Sequence, residues 1–406
     1  MGYRTLLVLS GLIIAVSIGL RQSLGLFMPP MTAALGITAA AFGFAIAVQN
    51  IVWGVSQPLV GAIADRYGPR PVLVGTALAY AGGLLLMAFS QTVPAGLQIG
   101  GVLAGIGTAG TGFGVLIGTV SRATPEATRT RTVGTVAAAA SLGTFAIAPL
   151  GQSLIGSFGW KGALIAFAGL AASMAALSLG VREVQPTLAA ARGSAKKLNL
   201  AGAVRQAMAH RGYLFMTLAF FACGFQLVFI TTHLPTYLAV CGVAPGVGGT
   251  ALGLIGLFNA VGTYVFGRLG SRYSQKRLLA MIYLARTAII VAFLAAPIAP
   301  ATVLVFAAAM GFLWLGVIPL VTGIIGRVFG LSHFNTLYGL VFLSHQVGSF
   351  FGAWMGGIIF TRMGNYNVAW AALIVIGLTA FTLQWLMDEQ PPEEKGSSGR
   401  PVPVPA

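Results

Sequence analysis

The chain has 406 residues, 57% of them hydrophobic and 7% charged, with a mean hydropathy of +0.89. A soluble domain carries about 25% charged residues, so the composition excludes a water-soluble enzyme, a nucleic-acid-binding protein and a secreted disulfide scaffold. The net charge of +16 would suit a nucleic-acid partner, but its distribution along the chain follows another pattern.

A transmembrane helix needs about 20 apolar residues. Apolar runs bounded by charges or by Gly and Pro predict helices at 5–28, 39–64, 72–90, 94–120, 130–157 and 161–181. After a gap they resume at 213–238, 249–269, 278–297, 301–326, 335–359 and 367–387. The predicted fold class is an all-α membrane protein of twelve transmembrane helices in two six-helix pseudo-symmetric halves. These halves are 1–181 and 213–388, joined by a cytoplasmic linker at 182–212 whose end at Arg205–Arg211 suits a short amphipathic helix on anionic lipid. A Pro-rich tail at 389–406 reads as disordered and cytoplasmic. The first span is too long for a signal peptide and is followed by no small-residue cleavage site, so it is expected to be retained.

Of the 23 Lys and Arg residues, 19 fall on one side of this map, among them Arg4, Arg66, Arg70, Arg122, Arg268, Arg272 and Arg327. Only Lys161 and Arg362 fall on the other, and Arg21 and Arg286 lie within spans. A Lys/Arg excess marks the cytoplasmic face, which places both termini inside and explains the basic balance without nucleic acid. Cys223 and Cys241 show no metal-ligand spacing and no disulfide framework. The Gly-rich run Gly101–Gly118 holds no phosphate-binding loop, so neither a metal, an ATP site nor any other cofactor is expected.

The halves repeat weakly at an offset of about 205. Gly61, Arg66 and Tyr67 recur as Gly267, Arg272 and Tyr273, and Gly143, Phe145, Gly151 and Gly159 recur as Gly348, Phe350, Gly356 and Gly364. Gly19-Leu20-Arg21 recurs as Gly224-Phe225-Gln226. Parallel six-helix repeats are the architecture of carriers that rock two halves about a midplane site. The recurring glycines are expected to serve close helix packing.

Between the second and third spans stands Gly61-Ala-Ile-Ala-Asp65-Arg66-Tyr-Gly68-Pro-Arg70. It resembles the signature loop of the major facilitator superfamily, in which Asp65, Arg66 and Arg70 would form a conformational latch. The second copy carries Ser271 at the acidic position, and Gln98 and Gly101 stand where the superfamily places an arginine at the start of the fourth span. Gly224-Phe-Gln226 with His233-Leu-Pro235-Thr-Tyr237, then Gly256-Leu-Phe-Asn259 and His345-Gln346, is similar to bacterial monocarboxylate-porter-like sequences. That resemblance implies that Asn259 stands at an acidic-or-Asn position of the eighth span, with Thr263 where the family has a carboxylate-holding arginine. It implies a site histidine at His233 and cavity aromatics at Phe342 and Trp314.

All seven acids, Asp65, Glu126, Glu183, Asp388, Glu389, Glu393 and Glu394, fall outside the spans. Arg21 and Arg286 therefore have no carboxylate at their depth. A charge there costs at least about 2.5–3.5 kcal/mol and marks a functional site by default, and the missing anion is read as the substrate. Ser10, Ile14, Ser17, Arg21, Gly25 and Met28 share one helix face, with snorkelling to the interface as the alternative. Gln226 shares a face with Ile230 and His233. Arg286 either binds substrate or hydrogen-bonds carbonyls of neighbouring helices. His233 and His345 could each carry a coupled proton or sit neutral between helices.

The expected function is secondary transport of a small organic anion, most simply a monocarboxylate such as lactate, by proton symport or anion exchange across a bacterial inner membrane. Arg21, Gln226, His233, Asn259, Arg286, Trp314, Phe342 and His345 are the candidate substrate-binding residues. The partners expected are that anion, the lipid bilayer and protons, with no nucleic acid and a monomeric state; the alternative is a polyspecific efflux carrier for hydrophobic compounds. No catalytic residue is expected, since nothing at membrane depth resembles an activated nucleophile or a metal cluster.

Overall fold

A computed structural model describes residues 2–90, 94–181, 200–329 and 334–390. The described residues form helices and turns, with no strand among them. In the hydrocarbon region every backbone polar group must pair within its own element, and that leaves helices as the form these apolar runs can take.

Among the described residues, twelve spanning helices follow in order once the long run 126–179 is divided at its break. They are α1 (Tyr3–Leu35, with a tight 3-10 turn over Leu24–Phe27), α2 (Ala39–Tyr67), α3 (Pro69–Phe89) and α4 (Ala95–Ala123). The run Glu126–Leu179 breaks at Gly159, where φ is 69°, giving α5 before the break and α6 after it. The second half holds α7 (Arg211–Val240), α8 (Pro245–Gly270), α9 (Gln275–Ala295), α10 (Pro300–Phe329), α11 (Phe334–Met363) and α12 (Asn367–Leu386). A short helix, Leu200–Ala209, precedes α7. Most of the linker, 182–199, and the tail from 391 lie outside the described residues.

The repeat seen in the sequence is a repeat of packing. A Cβ on Gly143 of α5 would stand 1.9 Å from the Ala15 carbonyl of α1, and one on Gly348 of α11 would stand 2.0 Å from the Phe221 carbonyl of α7. The same backbone-on-backbone crossing thus joins α1 to α5 and α7 to α11. Gly159 and Gly364, also 205 residues apart, both take positive φ at the turns after α5 and α11, a conformation that costs glycine little. In each half the second helix packs on the fourth: α2 on α4, and α8 on α10. Both fourth helices are broken, α4 between Thr111 and Phe113 and α10 between Phe312 and Val317.

The halves meet through α2 against α11 and α5 against α8, and their close approaches lie toward the face opposite the termini. Backbone meets backbone where Gly25 faces Thr231, Gly43 faces Ala353 and Gly357 faces Ala39. Toward the face that carries the termini, Leu59 and Ile63 of α2 and Val261 and Tyr264 of α8 are exposed.

The start of the expected tail is engaged with that terminal face. The Glu389 carboxylate accepts from Ser274 Oγ (3.1 Å) and from the Lys276 backbone N–H (3.0 Å) at the start of α9, and it pairs with Arg327 at the end of α10. Gln390 offers its carbonyl to His210 Nε2 at 2.9 Å.

Candidate substrate-binding site

Arg21 projects from α1 toward α2. Its Nη2 donates to Asn50 Oδ1, and Asn50 Nδ2 donates to the Ile46 carbonyl one turn back (2.7 Å), which aims the amide oxygen at the guanidinium. Trp53, three residues further along α2, lies with its ring centroid 4.8 Å from Arg21 Cζ, within the range where an indole face attracts a cation. Trp53 Nε1 donates to Gln57 Oε1 (2.9 Å), and Gln57 Nε2 donates to the Ala109 carbonyl (3.2 Å) beside the break in α4. Arg21 Nε is buried and has no hydrogen-bond partner among the described residues. Arg21, Gln49 and Asn50 line a small cavity together with Val228, Thr231 and Thr232 of the other half, just beneath the contact of Gly25 with Thr231.

From α11 the second half answers. Phe342 lies 5.3 Å from the Trp53 ring and stacks on His345 at 6.0 Å, nearly parallel. Gln346 Nε2 donates to the Asn50 carbonyl (3.0 Å), tying the halves together. That bond fixes the Gln346 amide, so its Oε1 must accept from His345 Nδ1 at 3.1 Å. The histidine is then protonated at Nδ1, and its Nε2 makes no hydrogen bond to the described residues.

Arg286 is placed differently. It is fully buried on α9, with Nε and Nη2 donating to the Leu313 carbonyl (3.2 and 2.7 Å), Nη2 also to the Trp314 carbonyl, and Nη1 to Cys223 Sγ (3.5 Å). Leu313 and Trp314 open the break in α10, where carbonyls lose their helical partners and carry the negative end of a helix dipole. Asn259 serves the other side of the same break. Its Oδ1 accepts the Leu315 backbone N–H (3.0 Å) and the Thr263 hydroxyl (3.2 Å), while its Nδ2 donates to Ser141 of α5 (3.0 Å). Trp314 lies in the break and is buried.

The remaining candidates also sit in helix contacts. Gln226 turns to α12, donating to the Leu373 carbonyl (3.1 Å), rather than toward Arg21. His233 donates from Nε2 to the Ala353 carbonyl (2.7 Å) and accepts at Nδ1 from the Tyr366 hydroxyl (3.1 Å). Burial lifts the Tyr366 hydroxyl above tyrosine's usual pKa, which keeps it a donor, so both ring nitrogens of His233 are engaged. In the signature loop, Arg66 and Arg70 are exposed, Arg66 lies 5.2 Å from the Tyr67 ring and Gly68 takes φ 83°; the Asp65 side chain lies outside the described set.

The structure thus gathers Arg21, Phe342 and His345 around Asn50, Trp53 and Gln57, which the sequence did not single out, and Gln346, which stood in a quoted motif without a role. A signal was present, since Asn50, Trp53 and Gln57 are spaced by three and four residues within an apolar helix and so share one face.

The pattern of the Major Facilitator Superfamily matches residues 9–322 and 242–406. The chain is 26% identical over 365 residues to Monocarboxylate transporter 13 of Rattus norvegicus, covering 89% of this chain and 83% of that protein. It is 25% identical over 383 residues to the oxalate:formate antiporter of Oxalobacter formigenes, covering 93% and 89%. Its fold matches the inward-open xylose transporter XylE from E. coli with a TM-score of 0.74 at 14% identity, over 98% of each chain.

Proposed function

The chain belongs to the major facilitator superfamily, and from that premise we propose that it carries a small organic anion, most simply a monocarboxylate such as lactate or a related acid. It is a multi-pass membrane transporter of a small molecule and not an enzyme. We place it in a bacterial inner membrane as a monomer, with both termini cytoplasmic on the strength of the Lys/Arg asymmetry. The names of its relatives, a monocarboxylate transporter and an oxalate:formate antiporter, support the substrate class.

The observation that carries the reading is the unequal state of the two intramembrane arginines. Arg286 gives Nε and Nη2 to the Leu313 and Trp314 carbonyls and Nη1 to the Cys223 sulfur, whereas Arg21 faces a cavity between the halves with a buried Nε that has no partner among the described residues. Arg21 anchors the carboxylate, Trp53 and Phe342 wall the site, and the free Nε2 of His345 takes the coupled proton where transport is symport. Arg286, Asn259, Gln226, His233 and Trp314 hold the framework, and Asp65, Arg66 and Arg70 form the latch at the terminal face.

Uptake of labelled mono- and dicarboxylates into proteoliposomes, with and without a pH gradient, tests this. Wild type should accumulate a monocarboxylate and Arg21→Gln should not. Failure of every acid, with stabilisation of the protein by hydrophobic compounds instead, would replace the reading with efflux of such compounds.

A further inference from the structure

We propose that Asn50 is the resting ligand of Arg21, displaced by the substrate's carboxylate, and that it allows the empty carrier to reorient, so that the protein supports net flux and not only exchange. This rests on the reading that Arg21 anchors an anion. A buried guanidinium without partners is costly, and a carrier whose anchor is bare when empty meets that cost as its halves close around the vacant site. Such a carrier returns only when loaded, which makes it an obligatory exchanger. Here the amide of Asn50 meets Arg21 within the protein itself. Both residues belong to one half, so their contact moves with it and survives a rocking of one half against the other.

The geometry also shows how the amide gives way. Nη2 and Nε are the two donors on the side edge of a guanidinium, and Asn50 engages Nη2 alone while the buried Nε has no partner among the described residues. A carboxylate can take both donors at once with its two oxygens, and such charge-assisted pairs are stronger than a single bond to a neutral amide. Asn50 therefore occupies the edge without completing it. The bond from its Nδ2 to the Ile46 carbonyl (2.7 Å) gives the displaced amide a place to remain. The Trp53 ring against the guanidinium supports the charge in both conditions and does not compete for the edge.

The test uses proteoliposomes loaded with labelled lactate, with the membrane potential clamped. Efflux into lactate-free buffer measures net flux, and efflux into buffer containing unlabelled lactate measures exchange. Wild type should show both. In Asn50→Leu the ratio of net flux to exchange should fall at least about tenfold, the scale of one lost hydrogen bond to a charged group. Should that variant not fold, Asn50→Thr is read by the same ratio. Asn50→Asp should fill the edge with a tethered carboxylate and abolish lactate-dependent thermal stabilisation. A wild type that only exchanges, or an unchanged ratio in the Asn50 variants, overturns the inference. A wild type that neither exchanges nor releases lactate or any other acid of the panel overturns the anion reading instead.

Discussion

Replacing Arg286 by Met separates a brace from an anchor. Methionine fills much of the volume but leaves the Leu313 and Trp314 carbonyls, now served by the guanidinium, without donors in a fully buried site. Each carbonyl stripped of a charged donor costs about 1.5–3 kcal/mol, partly offset by the roughly 2.5–3.5 kcal/mol saved when no cation is held at that depth. The net expectation is a loss of about 1–3 kcal/mol. In detergent, Arg286→Met should unfold several degrees below wild type yet keep its shift on adding lactate. A ligand at 100 times its Kd adds about 2.7 kcal/mol, so the shift is large enough to read on either background. Arg21→Gln should behave in the opposite way, with a midpoint near wild type and no ligand shift. If Arg286→Met kept its midpoint and lost the lactate shift, Arg286 would be the anchor and the assignment of both arginines would be refuted.

Three further outcomes follow from contacts already described. Gly25→Leu would drive a side chain into the Thr231 carbonyl and hold the distal face apart; the protein should stay monodisperse, lose transport, and label faster with a maleimide at Thr232→Cys. Asn259→Leu strips the Leu315 N–H of its acceptor and cuts the bond to Ser141, so it should cost about 2–4 kcal/mol against about 1 kcal/mol for Ser141→Ala, measured by thermal unfolding. His345→Gln should abolish pH-gradient stimulation of uptake, whereas His233→Gln should lower the unfolding midpoint and leave the stimulation intact; equal loss in both would refute the division of roles.

The sequence displays the fold because each determinant is local or periodic. Apolar length sets a span, and a glycine every 205 residues marks a crossing or a turn that only the smallest residue fits, as at Gly143 with Gly348 and Gly159 with Gly364. The site is less legible. Depth alone singles out Arg21 and Arg286, yet depth cannot say whether a guanidinium meets a ligand or a carbonyl. That is decided by the break in α10, which depends on packing against α8 and α9. Gln226 matches Arg21 by offset, but its side chain answers to α12, because the repeat preserves backbone position and not the direction of a polar group. Asn50, Trp53 and Gln346 look like ordinary residues of apolar helices, and their roles appear only once α11 lies against α2.

The two halves use one device for different ends. In each, the fourth helix is broken and the second helix sends an amide to the break: Gln57 to the Ala109 carbonyl in the first half, Asn259 to the Leu315 N–H in the second. In the second half an arginine is added to the brace and its charge is absorbed by the α10 carbonyls. In the first half the brace runs through Trp53, whose ring supports Arg21 from the face and leaves the edge of the guanidinium to Asn50 or a ligand. Pseudo-symmetry of the backbone is thus broken in chemistry, leaving Arg21, among the described residues, as the cation between the halves with a donor to spare. One such cation matches one carboxylate, so a second carboxylate on the substrate would enter the membrane's interior without a partner and pay the cost of a buried, unpaired charge. On this ground a monocarboxylate should be carried in preference to a dicarboxylate of the same length, and the uptake panel would contradict the account if the order were reversed.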